Sequence, residues 1–334
     1  MNIRKEVDGA LERLRGLIVR TPLVRSEVLS ERSGADVHLK LETLQHTGSF
    51  KYRGALNRLL ALDDAERGRG VVTASTGNHG LAVLRAAAEV GTSVRIRVPV
   101  TADAGKVAAL RERGAEVVVE GRECAESEAL SRTEAEETGR VYISAYNDAV
   151  VIGGQGTIAA EILEDLPEVA AVVASVGGGG LITGMAGYLA AGRPAARVLG
   201  AYPERSPALY ESVRAGRVVD VPVEPTLSDA TAGGVEEGAV TLGPAREFVA
   251  GWCGVTEDEI AEGMRLLFDE GHIAEGAAGA AAAGALAFAE RGAIAPGETV
   301  AVVLCGRNVD AGVLCGLVAG ERGRKGDEGP RGTR

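Results

Sequence analysis

The chain has 334 residues, enough for about two domains of ordinary size and for a deep ligand cleft between them. Thirty-six Lys and Arg against 47 Asp and Glu give a formal charge of −11, which repels phosphate backbones and anionic lipid and argues against nucleic-acid and membrane partners. Apolar residues make up 46% and aromatics 3%, with 47 glycines, so the expected core is Ala, Val and Leu with tight backbone turns, the composition of an α/β enzyme.

Cys124, Cys253, Cys305 and Cys315 include no C-x-x-C pair and give neither a disulfide framework nor a zinc site. They suit a reducing, cytoplasmic compartment. So does the N-terminus, which turns acidic before a signal-peptide core can form.

Val7, Ala10, Leu11, Leu14 and Leu17 recur at helical spacing, and Thr21-Pro22 is expected to end that element, because proline disfavours helix in the residue before it. Residues 37–41 alternate at strand period, and 49–62 read as a helix with Thr47 and Ser49 as cap candidates. Apolar runs then alternate with helical patterns at 71–74, 94–98, 116–119, 171–174, 198–201 and 300–304. Repeated strand-helix alternation predicts an α/β fold of two open parallel sheets with helices on both faces. The compact units in the middle of the chain suggest a small α/β domain at 52–146, inserted in a larger one built from 1–51 and 147–319. Residues 169–192 lack charge, but the tetraglycine 177–180 would weaken a membrane helix at its centre, so strand, loop and helix is the reading. From Gly320 a glycine falls at every third position, which predicts a solvated, disordered tail at 320–334 rather than a collagen helix.

Four segments carry chemistry. In Gly48-Ser49-Phe50-Lys51 a lysine opens a helix, where the positive dipole end disfavours its ammonium form and favours the free amine that imine chemistry needs. Ser75-Thr76-Gly77-Asn78-His79-Gly80 joins a strand to a helix, and its N–H groups and hydroxyls could hold a carboxylate or phosphate. Ser175-Val176-Gly177-Gly178-Gly179-Gly180-Leu181 repeats that arrangement with bare backbone, favouring a phosphate site. Val303-Leu304-Cys305-Gly306-Arg307-Asn308 ends a late strand, where ligand sites gather in open α/β sheets. Taken singly, each has a plain structural reading as well: a surface lysine, a capped turn, a structural histidine at 79, a core cysteine.

Together, in this order and spacing, the four segments resemble the fold type II family of pyridoxal-phosphate enzymes, the threonine and serine dehydratases with serine racemase, a fold of the tryptophan synthase β-like type. Gly153-Gly154-Gln155-Gly156-Thr157 and residues 255–260 match that pattern too, and the resemblance spans about residues 5 to 318. It implies pyridoxal 5'-phosphate bound through an imine to Lys51, with Phe50 against the ring, Asn78 at the ring hydroxyl, Gly177, Gly178, Gly179, Gly180 and Leu181 on the phosphate, and Cys305 facing the pyridine nitrogen. A thiol there is a weak, neutral partner, which favours expelling a β-substituent over building a long-lived carbanion.

Ser75, Thr76, Gly77, Asn78 and His79 would grip the carboxylate of an amino-acid substrate, and Lys51 would move the α-proton. The implied reaction takes a β-hydroxy amino acid to a 2-oxo acid and ammonia, in a cytoplasmic homodimer. Thr76 stands where racemases carry the serine that exchanges a proton on the second face; its extra methyl argues against racemisation. Tyr202 and Ala208 replace two oxygen ligands of the divalent-cation site found in some relatives, so no metal is expected. Residues 225–236, with Ser75-Thr76-Gly77, are similar to dehydratases associated with hydroxyectoine breakdown, which keeps a hydroxylated diamino acid or 3-hydroxyaspartate open as substrate. A nicotinamide-dependent oxidoreductase is the rival from another class, since residues 154–159 fit G-x-G-x-x-A. It lacks the acidic residue such sites need some 20 positions later.

Overall fold

A computed structural model describes residues 1–319; the glycine-periodic stretch 320–334 lies outside the described residues. Ten strands are formed there: β1 (Leu23–Arg25), β2 (Asp36–Lys40), β3 (Val71–Ala74), β4 (Val94–Val98), β5 (Glu116–Val119), β6 (Val141–Tyr142), β7 (Ala171–Ser175), β8 (Arg197–Pro203), β9 (Gly251–Val255) and β10 (Thr299–Val303). They sort into a six-stranded sheet of order β1-β2-β10-β7-β8-β9 and a four-stranded sheet of order β5-β4-β3-β6.

Val and Ala runs such as β3 and β7 are buried at every residue, the burial expected of parallel strands covered by helices on both faces. The larger sheet is mixed, however, because β1 lies antiparallel to β2 with Leu23 opposite Lys40. Three residues after Pro22 are too few for alternation to show in sequence. Two further strands also escaped the pattern: β6 has two residues, and the glycines at 251 and 254 hide the period of β9.

The first helix spans Ile3–Arg13 and stops well before Thr21, because Gly16 turns the chain at φ +75. Leu17 therefore lies beyond the helix and is exposed. Ala10 and Leu14 pack with Tyr52, Leu56, Leu59 and Ile143 in the core beside the smaller sheet.

Residues 169–192 fold as the end of a loop, β7, a turn and the helix Gly180–Gly192. Among the described residues no helix is long and apolar enough to cross a membrane. The 153–157 run sits inside the helix Ala149–Asp165 rather than at a strand-to-helix turn, which removes the structural basis of a dinucleotide fingerprint. Its glycines serve close packing: a Cβ on Gly154 would lie 2.6 Å from the Arg53 carbonyl oxygen, and one on Gly156 would lie 2.8 Å from that of Gly184.

Candidate active site

Lys51 opens the helix Lys51–Leu60 with Phe50 as its cap residue. The preceding chain is pinned to the end of β10: the Phe50 N–H donates to the Cys305 carbonyl at 3.0 Å, and Ser49 bridges Gly306. One turn along, the Arg53 guanidinium is fully buried, with 2.8 Å bonds to both oxygens of Glu42 and bonds of 2.6 and 2.9 Å to those of Glu161. Lys40 Nζ adds a 2.6 Å bond to Glu161. Opening so enclosed a cluster would strand a charge, so it fixes where the helix carrying Lys51 can sit.

The Lys51 ammonium donates to the Ala145 carbonyl at 3.0 Å and lies 5.2 Å from the centre of the Phe50 ring. Burial pushes its pKa down to about 8, against Cys305, Glu275 and Glu128, which favour the charged form. Desolvation is thus a physical reason for a readily available free amine.

Lys51 shares a pocket with Phe50, Asn78, residues 177–181 and Cys305, all named from sequence, and with Tyr146, Ser175, Ala230, Thr231 and Glu275. Bare backbone at 177–180 leads from β7 into the positive end of the helix Gly180–Gly192. Gly179 adopts φ +94, in the left-handed region, and a Cβ on Gly178 would lie 2.5 Å from the Tyr146 ring. The result is an anion cradle that side chains would fill. Tyr146 is held over it by the Glu236 N–H, which donates to the phenol oxygen at 2.9 Å.

Cys305 is buried, accepts the Ser175 hydroxyl at 3.6 Å and lies 3.8 Å from Glu275 Oε1. Burial and that carboxylate push its pKa far up, so it is a neutral thiol. Asn78 Nδ2 donates to both oxygens of Glu275, at 2.8 and 2.9 Å.

Other sequence candidates are placed differently. Ser75, Thr76 and Gly77 are half-buried in the turn before the helix Asn78–Val90, closed by the Gly77 N–H donating to Ser75 Oγ at 3.1 Å, and they are not on the pocket wall. His79 departs furthest from its expected substrate contact. Its ring is buried against the Ile143 carbonyl, 3.0 Å from Nε2, and burial drops its pKa to about 3, which makes it a neutral structural histidine. Glu275 was missed by sequence reasoning. Its signal was an acidic residue set before the uncharged stretch 276–289, the mark of a carboxylate at the mouth of a buried helix.

The sequence matches the family described as pyridoxal-phosphate dependent enzyme over residues 14–306. The chain belongs to that family. It is 38% identical over 310 residues to an L-threonine ammonia-lyase of Thermotoga maritima, covering 93% of this chain and 76% of that one. It is similar in structure to the processed form of threonine deaminase isoform 2 from Solanum lycopersicum, with TM-score 0.88, 32% identity and coverage of 95% and 92%. Maize serine racemase gives TM-score 0.88 at 31% identity, with coverage of 93% and 95%. The architecture is that of fold type II pyridoxal-phosphate enzymes. The residues present fit this cofactor: an amine of lowered pKa for the aldehyde, a side-chain-free anion cradle for the phosphate, and a neutral thiol on the same pocket wall.

Proposed function

We propose that this protein is an ammonia-lyase that eliminates water from a β-hydroxy amino acid of the threonine or serine type, giving a 2-oxo acid and ammonia. The observation that carries the reading is the meeting, in one pocket, of the Lys51 amine with the tetraglycine cradle and the neutral Cys305. Lys51 Nζ would hold the cofactor and, as a free amine, would move the α-proton of the substrate. Residues 177–181 would hold the phosphate, and Phe50 and Asn78, on the same pocket wall, would hold the ring. Cys305, a neutral thiol, would offer no charge to the bound ring. The main chain of residues 75–79, gathered at the N-terminal end of the helix Asn78–Val90, orients the substrate carboxylate. When bound, pyridoxal phosphate supplies an electron sink for the α-carbon, which lets the β-hydroxyl leave.

Elimination is preferred to racemisation because the Thr76 side chain is off the pocket wall. We also propose a cytoplasmic homodimer; light scattering on the purified protein checks its stoichiometry. Tyr146 and Thr231, on the pocket wall, would sort the substrate side chain, whereas Asp229 lies off that wall beside Lys106.

The deciding assay supplies serine, threonine, 3-hydroxyaspartate and hydroxylated diaminobutyrate and measures oxo acid and ammonia. Release from none of them overturns the reading. Lys51→Ala should keep the fold and lose at least about a thousandfold in turnover. Borohydride reduction should place the pyridoxyl group on Lys51.

A further inference from the structure

Asn78 is set by three chain segments far apart in sequence. Its Nδ2 faces both oxygens of Glu275, and its Oδ1 accepts from Asn308 Nδ2 at 2.5 Å. The Asn308 main-chain N–H donates to Glu275 Oε2 at 3.2 Å, and its side chain also donates to the Thr47 carbonyl at 2.9 Å. The two ends of a carboxamide are nearly equal in shape, so packing alone does not choose its orientation. Here chemistry does: a flipped Asn78 would set oxygen against carboxylate and amide against amide.

Glu275 is 2% exposed and forms no ion pair among the described residues. A Cβ on Gly306 would lie 2.5 Å from its Oε1, so this side chain has little room to turn away. It meets donors from Asn78 and Asn308 while the Cys305 thiol lies beside it. A carboxylate accepts at both oxygens; the isosteric glutamine would turn an NH₂ toward one of these donors.

We propose that Glu275 is a positioning residue that locks the Asn78 carboxamide with its NH₂ directed by the carboxylate, and that it acts on the bound cofactor through Asn78. The inference rests on the cofactor placement proposed above. Burial raises the pKa of Glu275, and Asp229 adds to that, whereas the bonds from Asn78, Asn308 and Cys305 favour its charged form. Lys51 is the nearby cation that feels this carboxylate, along with Cys305 and Glu128.

The test follows the visible absorbance of the protein loaded with pyridoxal phosphate as a function of pH. Glu275→Gln should move the titration midpoint by about one pH unit, a tenfold change in the proton equilibrium. Asn308→Ala, in an exposed segment, should move it in the same direction by less and carries the test if Glu275→Gln fails to fold. Glu275→Asp, which keeps two acceptor oxygens, should restore most of the wild-type midpoint. In an Asn78→Ala background, Glu275→Gln should add only the small part due to the direct effect of its charge on Lys51, well short of the full shift.

Unmoved midpoints in Glu275→Gln and Asn308→Ala overturn the proposal, even where thermal stability falls. So does a full Glu275→Gln shift without Asn78, because the carboxylate would then act directly. A wild-type protein labelled by borohydride away from Lys51 overturns the site reading instead, which separates the two failures.

Discussion

Two glycine-rich runs lie close together in sequence and do opposite work. At 153–156 the glycines are inside a helix, and other helices press on them: the backbone of Arg53 and Gly54 at Gly154, the Val7 side chain and the Gly184 backbone at Gly156. At 177–180 they form a bare turn at a helix start beside the pocket, and at Gly178 what approaches is the Tyr146 ring. The same residue type thus yields rigidity in one run and a ligand seat in the other. What decides is whether the neighbour is main chain or open space beneath a movable side chain.

The difference predicts different failures. Gly154→Val should have the largest effect: with a backbone carbonyl oxygen and a backbone Cα each 2.6 Å from the added Cβ, nothing can yield cheaply. It should cost about 3 kcal/mol or more, a large share of a typical domain's stability, and urea unfolding measures it. Gly178→Ala should leave the urea midpoint of the cofactor-free protein nearly unchanged and weaken pyridoxal phosphate binding about tenfold, or about 1.4 kcal/mol, read by fluorescence titration. Adding Tyr146→Ala to Gly178→Ala should recover part of that affinity, because the added Cβ meets chiefly the Tyr146 ring; no side-chain truncation can rescue Gly154→Val. If Gly178→Ala unfolds the protein, or Gly154→Val loses only cofactor, the contrast between the runs is wrong.

A smaller effect concerns pH. Lys51 must be neutral to react with an aldehyde, and with a pKa of about 8 its free-amine fraction rises with pH and saturates just above that value. Cofactor uptake by the cofactor-free protein should therefore accelerate from pH 6 and level off beyond about pH 8, whereas an ordinary lysine would keep accelerating toward about pH 10.4. Stopped-flow absorbance distinguishes the two profiles.

Much of this was legible because some signals are local. A Val and Ala run long enough to be buried on both faces marks a strand, and four consecutive glycines before a helix mark an anion seat whatever the rest of the chain does. Lys51 and Cys305 were readable only in company, through the order of the segments around them. Roles given by distant partners were not readable. Nothing near Glu275 announces Asn78 or Asn308, nothing near Arg53 announces Glu161, and the same dipeptides at Gly154 would suit a dinucleotide turn as well as a helix crossing. The histidine at 79 carried two readings in sequence, and its ring is spent on the Ile143 carbonyl beside the smaller sheet.

The pairing of β10 with β2 places Ala301 beside His38 and ties Phe50 to Cys305. A strand made near the start of synthesis must wait, unpartnered on its inner edge, for one that leaves the ribosome more than 250 residues later. Lys51, next to Phe50, is anchored by the same late event. A nascent chain arrested before residue 300 would therefore hold Lys51 on an unfinished scaffold, and the pocket walls would meet only once β10 has paired.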